Sequence, residues 1–239
     1  MIDLHCHLLP GIDDGPQTLE EALAMARLAV EHGIETAWVT PHLHVGRWDN
    51  DRAAIEKAVA AYRAALAEAA IPLEVNFAAE VRLDYDIVPL LEAGRVPFYG
   101  EMEGYRVMLL EFPHGHLPVG AVPFVDWLIS RRIRPMIAHP ERNKDLMREP
   151  ARIEPFLAAG CLLQVTADAI AGGFGPLCAQ RAKEFLERGW VSVIASDAHD
   201  TVERPPRIAP GRVAAAKIIG EQEALRLTHG TPLQIVRGT

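Results

Sequence analysis

The 239-residue sequence predicts one α/β domain of barrel type. Three observations carry this reading. Short apolar, β-rich runs alternate with helix-like stretches along the chain. Several of those stretches end on glycine just before the next run: Glu31-His32-Gly33 precedes Thr36–Thr40, Ala158-Ala159-Gly160 precedes Leu162–Thr166, and Glu187-Arg188-Gly189 precedes Val191–Ser196. No linker rich in Gly or Ser and no low-complexity tract interrupts the pattern, so the domain is expected to span residues 1–239. A hydrophobic content of 49% is enough for a sizeable core without disulfides.

The elements follow in order. Ile2–His5 opens as a strand. Thr18–His32 is a helix, because Thr18 and Glu21 have the spacing of a capping box. Thr36–Thr40 is the second strand, and the Ala-rich stretch Asp51–Ala70 the second helix. Strands are expected at Leu73–Ala79, Arg106–Phe112, Arg134–Ala138, Leu162–Thr166 and Val191–Ser196. Helices are expected near Val119–Arg131, Pro150–Ala159, Pro176–Arg188 and Pro210–Leu227. Strands alternating with helices imply a parallel sheet.

The net charge of -8 argues against a nucleic-acid partner, since phosphate contacts need clustered Lys and Arg. No stretch is long and apolar enough for membrane insertion, and the N-terminus lacks the basic and apolar regions of a signal peptide. The three cysteines, Cys6, Cys161 and Cys178, are odd in number and far apart. They form neither a disulfide framework nor a zinc motif, which suits a reducing cytoplasm. An oligomer is compatible with the sequence.

The chemistry gathers where the strands end. His5 and His7 follow the first run, His42 the second and Glu80 the third. Glu111 ends the fourth, His139 follows the fifth, and Asp197 and His199 follow the seventh. In a parallel barrel all strand C-termini share one face, where such folds build their sites. Residues i and i+2 of a strand point the same way, so His5 and His7 can reach one ion, and Asp197 and His199 repeat the spacing. Imidazole and carboxylate without thiolate suit Zn, Mn or Fe. The ligand count exceeds what one ion needs, and a carboxylate such as Glu80 can bridge two ions that together clamp an in-line displacement. Other chemistries are excluded. The residue six beyond each cysteine is Ile12, Ala167 or Glu184, never the Arg of a cysteine phosphatase. The P-loop, H-E-x-x-H and G-x-S-x-G motifs are all missing.

Asp3–Pro16 (DLHCHLLPGIDDGP), Thr40-Pro41-His42, His139-Pro140-Glu141-Arg142 and Ser196-Asp197-Ala198-His199 resemble the polymerase and histidinol phosphatase (PHP) superfamily. Within it, Leu9–Gly15 together with the HPER and SDAH motifs is similar to the bacterial protein tyrosine phosphatases linked to capsule and exopolysaccharide. The resemblance implies a distorted (β/α)7 barrel holding three ions. One ion would take His5, His7, Glu80 and Asp197. A second would take Glu80, Glu111 and His139, with Glu80 bridging, and a third Asp14, His42 and His199. Other branches commonly have His where this chain has Asp14 and Glu111. The carboxylates shift the site toward Mn or Fe, with Zn as the alternative.

The resemblance also implies that Arg142 and Arg204 hold the substrate phosphate, which agrees with the bidentate fit of guanidinium to phosphate. With Asp197 and His199 they form the expected catalytic set. A hydroxide bridging two ions would attack phosphorus, and no phosphoenzyme is expected. The Tyr pKa of about 10 makes phenolate a fair leaving group, and no general acid is assigned. His44 and Trp48 are candidate substrate contacts, the indole by stacking on an aromatic ring. His114 and His116 lie in a Pro/Gly-rich loop on the same face, whereas His32 and His229 read as surface residues and Cys6 as packed. The implied substrate is a phosphotyrosine protein, in particular a bacterial tyrosine autokinase. The alternatives are a small-molecule phosphatase such as histidinol-phosphate phosphatase, a nuclease-like phosphodiesterase, and a non-catalytic regulatory module of the same fold.

Overall fold

The computed structural model describes residues 1–238, and Thr239 lies outside them. Eleven strands run in chain order as β1 (Ile2–Cys6), β2 (Thr36–Val39), β3 (His42–His44), β4 (Trp48–Asp49), β5 (Glu74–Phe77), β6 (Glu80–Arg82), β7 (Glu101–Met102), β8 (Tyr105–Glu111), β9 (Ile133–Ala138), β10 (Leu162–Thr166) and β11 (Val193–Ala195). Each of the seven expected strands is present, with ends shifted by a few residues at most. β3, β4, β6 and β7 were not foreseen.

β3 and β6 arise because two of the expected runs break and then resume pairing. β2 stops at Val39 and the chain resumes pairing at His42 as β3; β5 stops at Phe77 and resumes at Glu80 as β6. Pro41 has no N–H to offer a ladder, so the first break falls there. The lower halves build a three-stranded sheet in the order β1-β2-β5, and the upper halves join the larger sheet β11-β10-β9-β8-β6-β3-β4, with β7 paired to β8. Two bonds carry the pairing across the breaks, Ala78 N to Val39 O at 3.0 Å and Glu80 N to Pro41 O at 3.1 Å. All pairs are parallel except the edge pairs β3–β4 and β7–β8.

The two sheets also meet at their far ends. Cys6 and Ala198 form a parallel bridge. Asp197 N donates to His5 O at 2.7 Å, and His7 N donates to Ala198 O at 2.8 Å. Asp3 ties the same seam from below. It accepts from Ser196 N at 3.1 Å, Ser196 Oγ at 2.5 Å and His5 N at 3.2 Å, all in a buried setting. The seam thereby sets His5, His7 and Asp197 side by side.

The helices follow the sequence pattern. Leu19–Glu31 carries the capping box in full, with Thr18 accepting from Glu21 N and the Glu21 carboxylate accepting from Thr18 N. Gly33, Gly160 and Gly189 all take positive φ after helix ends. Arg52–Glu68, Ala121–Ser130 and Pro176–Glu187 match their expected spans closely. The stretch 150–159 is a 3-10 turn running into a short helix, and the helix expected over 210–227 breaks at Gly220. The helix Thr231–Arg237 was not foreseen. One large apolar cluster packs the helices onto the strands, and a smaller one lies inside the sheets, around Leu4, Leu109 and Met136.

Removing the Asp3 carboxylate strips three buried donors of their acceptor. Asp3→Ala is expected to lower the unfolding free energy by about 3 kcal/mol, on the usual cost of orphaned buried groups bonded to a carboxylate. Urea denaturation monitored by circular dichroism checks this; an unchanged midpoint would show that the seam does not depend on Asp3.

Candidate metal centre

The side chains singled out in the sequence converge at the C-terminal ends of the parallel strands. His5 Nε2 lies 3.4 Å from Glu80 Oε2 and 3.2 Å from Asp197 Oδ1. His7 Nε2 lies 3.4 Å and 3.7 Å from the same two oxygens. All four residues are fully buried, and these four atoms have no hydrogen-bond partner. Four donors about a cation at about 2.1 Å stand about 3.0–3.4 Å apart, close to these spacings. Buried polar atoms are otherwise almost always paired. His5, His7 and Glu80 bring their ligand atoms close enough together for one cation, and Asp197 does so with His5 and His139.

Two further clusters adjoin it. Asp14 Oδ1 lies 3.3 Å from His42 Nε2 and 3.4 Å from His199 Nε2, and His7 borders the same space. On the other side, His139 Nε2 lies 2.8 Å from Glu80 Oε1. Glu80 thus offers one oxygen to His5 and His7 and the other to His139, as a bridging carboxylate must. Glu111 departs from the expected grouping. Its carboxylate sits 4.0 Å from His42 and 3.0 Å from Arg82, and it clusters with His42 and Glu80, while His139 clusters with His5 and Asp197. The reason is register: Arg82 pairs directly with Glu111 across β6 and β8 and draws the carboxylate toward itself.

Residues not singled out in the sequence aim the histidines. His5 Nδ1 donates to Gln164 Oε1 at 2.8 Å, and His7 Nδ1 donates to Asp13 Oδ2 at 2.7 Å. Each bond turns the Nε2 lone pair inward. Asp13 also accepts from His42 N at 3.0 Å and Gly15 N at 3.0 Å. A Cβ on Gly15 would meet His7 O at 2.7 Å, so only glycine allows this turn. Asp13 lies beside Asp14 in the quoted motif, and its place was readable; its role was not, because adjacent carboxylates look alike in sequence. Gln164 faces inward from β10, the one strand without a ligand-type residue at its end. His139 and Asp197 both take positive φ, 32° and 54°, a conformation costing about 1–3 kcal/mol and often kept at functional sites.

The arginines meet the centre through one atom. Arg142 and Arg204 both donate to Asp197 Oδ2, the latter at 2.5 Å, while Oδ1 faces the histidines. Arg142 sits in the 3-10 turn Pro140–Arg142. Asp200 Oδ1 accepts from the backbone of Val202, Glu203 and Arg204, which places a loop the sequence could not. Arg142, Asp197 and Arg204 line a cavity of about 260 Å³, joined by His44, Arg47, Trp48, Arg82 and His114. His116 does not line it. The Trp48 ring stacks on His42 at 4.7 Å and 11°, which closes that face to a substrate ring, and the Arg47 guanidinium lies 4.0 Å from the same ring. His44 lies on β3 beside Trp48, edge-on at 6.5 Å. All three cysteines are buried; burial and neighbouring acidic charge push Cys161 and Cys178 up to about 12.

Charge in this pocket is sharply divided. Burial opposes ionisation of Asp197, but His5, Arg204 and Arg142 hold it well below the carboxylate range. Burial also opposes a charge on His42, yet Glu80 and Asp14 push it up to about 11, and Asp13 pushes His7 up to about 9. Burial and Arg142 bring His139 down to about 4.

Two outcomes are expected. Without metal, the raised His7 and His42 contribute stability that is complete below their ordinary pKa of about 6.5. That stability is lost as pH rises through about 9 and then about 11. Because a ligating imidazole must be neutral, Mn added at pH 7 should release protons; calorimetry in buffers of different ionisation enthalpy would give equal heats if it does not. Separately, Asp13→Asn should weaken metal binding by about 10- to 100-fold, as measured by competition with a chelator.

The family described as capsular polysaccharide synthesis, CpsB/CapC, matches residues 1–237. Tyrosine-protein phosphatase YwqE of Bacillus subtilis is 30% identical over 98% of this chain and 91% of its own. Tyrosine-protein phosphatase CpsB of Streptococcus pneumoniae is 28% identical over 99% and 98%. A crystal structure described as that of YwqE and CpsB, metal-dependent tyrosine phosphatases, superposes with a TM-score of 0.91 at 30% identity, covering 100% of this chain and 95% of that one. An amidohydrolase from Mycoplasma synoviae shares the fold alone, at 13% identity and a TM-score of 0.57 over 99% of this chain and 87% of that one. With a match running from the first strand through the last helix, and the candidate centre inside it, the chain belongs to the CpsB/CapC family.

Proposed function

We propose that this protein is a metal-dependent tyrosine-protein phosphatase of capsule or exopolysaccharide synthesis. Its centre rests on His5, His7, Asp14, His42, Glu80, Glu111, His139, Asp197 and His199. The single observation that carries the reading is the set of four buried, unpartnered atoms of His5, His7, Glu80 and Asp197, facing one another beside two arginines. We read the centre as holding three ions, Mn or Fe before Zn, because carboxylates rather than imidazoles stand at Asp14 and Glu111. We read the chain as one domain. Its seven parallel runs form a distorted (β/α)7 barrel, supported by the Cys6–Ala198 bridge.

When bound, the cations supply a nucleophile from water near neutral pH and neutralise phosphoryl charge. The chain does the rest. Arg142 and Arg204 present guanidinium forks to the phosphoryl oxygens and steady the charge that shifts during displacement. Asp13 and Gln164 keep the histidine nitrogens aimed. Asp197 couples the two halves, since one oxygen faces the histidines and the other holds both arginines. The leaving phenolate, with a Tyr pKa of about 10, needs little help from an acid. The open, polar cavity suits a side chain presented on a protein segment, here that of a bacterial tyrosine autokinase. Buried free cysteines fit a reducing compartment, so the enzyme is read as cytoplasmic. No helix among the described residues is long and apolar enough to cross a membrane.

The decisive comparison is turnover of a phosphotyrosine peptide against histidinol phosphate by protein reconstituted with Mn. The peptide should be the better substrate; preference for histidinol phosphate would sink the tyrosine phosphatase reading. A His5→Ala, His7→Ala double variant should lose activity by at least about 10³-fold, and full activity in it would remove the metal centre from the mechanism. Arg142→Lys keeps the charge but loses the fork, so KM for the peptide should rise with the ion content unchanged.

A further inference from the structure

One guanidinium in the cavity differs from the others. Arg142 and Arg204 are paired with Asp197, and Arg82 with Glu111. Among the described residues, Arg47 has no carboxylate within salt-bridge distance, although it lines the same cavity in a chain of net charge -8. It is exposed, yet its guanidinium packs on an aromatic ring. Its guanidinium lies 4.0 Å from the Trp48 ring, and that ring is stacked on His42. The turn beneath it is closed by Arg47 N to His44 O at 2.9 Å and by Gly46 N to Asp49 Oδ1 at 2.8 Å. A held, unpaired cation at the mouth of an anion-handling cavity is a recognition element for a second anion.

We propose that Arg47 selects phosphotyrosine segments carrying another anionic side chain, a carboxylate or a second phosphate, within a few residues of the scissile group. The indole of Trp48 acts as the rigid platform that keeps this guanidinium at a set distance from the centre. An extended segment advances about 3.4 Å per residue, so side chains one to three residues from the phosphotyrosine come within reach of the rim. His44, edge-on to Trp48 at 6.5 Å, adds hydrogen-bonding capacity at the same rim. The inference rests on the phosphatase reading.

The test compares kcat/KM for three phosphotyrosine peptides identical except at the flanking positions, which carry Gln, Glu or phosphotyrosine. The wild-type protein should favour the Glu peptide over the Gln peptide by about two- to fivefold at low salt, the range of a solvent-exposed ion pair. The phosphotyrosine flank, with its larger charge, should be favoured at least as much. The preference should sit in KM. It should fade at 1 M salt, where the Debye length falls to about 3 Å. Arg47→Ala should abolish it, Arg47→Lys should retain part of it, and Arg47→Glu should reverse it. Equal kcat/KM for the three peptides in the wild-type protein, or an undiminished preference in Arg47→Ala, overturns the assignment of Arg47 alone. Failure to hydrolyse any of the peptides overturns the phosphatase reading and this inference with it.

Discussion

Burying carboxylates and imidazoles together, with ring nitrogens and carboxylate oxygens left facing one another, is the constraint on which the rest of the structure depends. Glu80 and Asp197 have lost their water, and a desolvated carboxylate must be paired or bind a cation. The fold supplies the pairing in layers. An inner layer of His5, His7, His42 and His139 touches the two carboxylates, and an outer layer of Asp13, Gln164, Arg142 and Arg204 holds the inner one in place. Positive φ at His139 and Asp197 shows the backbone bent to serve this arrangement.

The sheet explains how residues so distant in sequence come to share one pocket. Breaks in two of its strands matter more than their continuity. Because pairing resumes at His42 and Glu80, these residues start fresh strand segments and pair directly with each other across the ladder. An unbroken second and third strand would have set their side chains by the pleat of Thr36–Val39 and Glu74–Phe77. The break lets the upper segments choose their own facing.

Much of this could be read from the chain. Alternating apolar runs and glycine-closed helices marked the seven parallel strands, and ligand-type residues after six of them marked one face. The breaks could not be read, because Thr40-Pro41 looks like an ordinary strand end. Glu111 lies beside Glu80 as expected, but its ion pair with Arg82 escaped, since that is a matter of strand register. Asp13 and Gln164 escaped because an orienting carboxylate or amide carries no signature of its own. Trp48 was assigned to the pocket, but a sequence cannot say which side of a ring is already occupied. The small strands β4 and β7 and the last helix were too short to give a periodicity.

The burial of all three thiols has a consequence for how such an enzyme could be disabled. Cys6 packs beneath the seam, and Cys161 and Cys178 are pressed toward their protonated forms. Oxidants and alkylating inhibitors that silence phosphatases built on a reactive cysteine act on an accessible thiolate, and here they find none. The exposed weakness lies elsewhere, in the supply of metal ions and in anything that strips them from a site already strained to receive them.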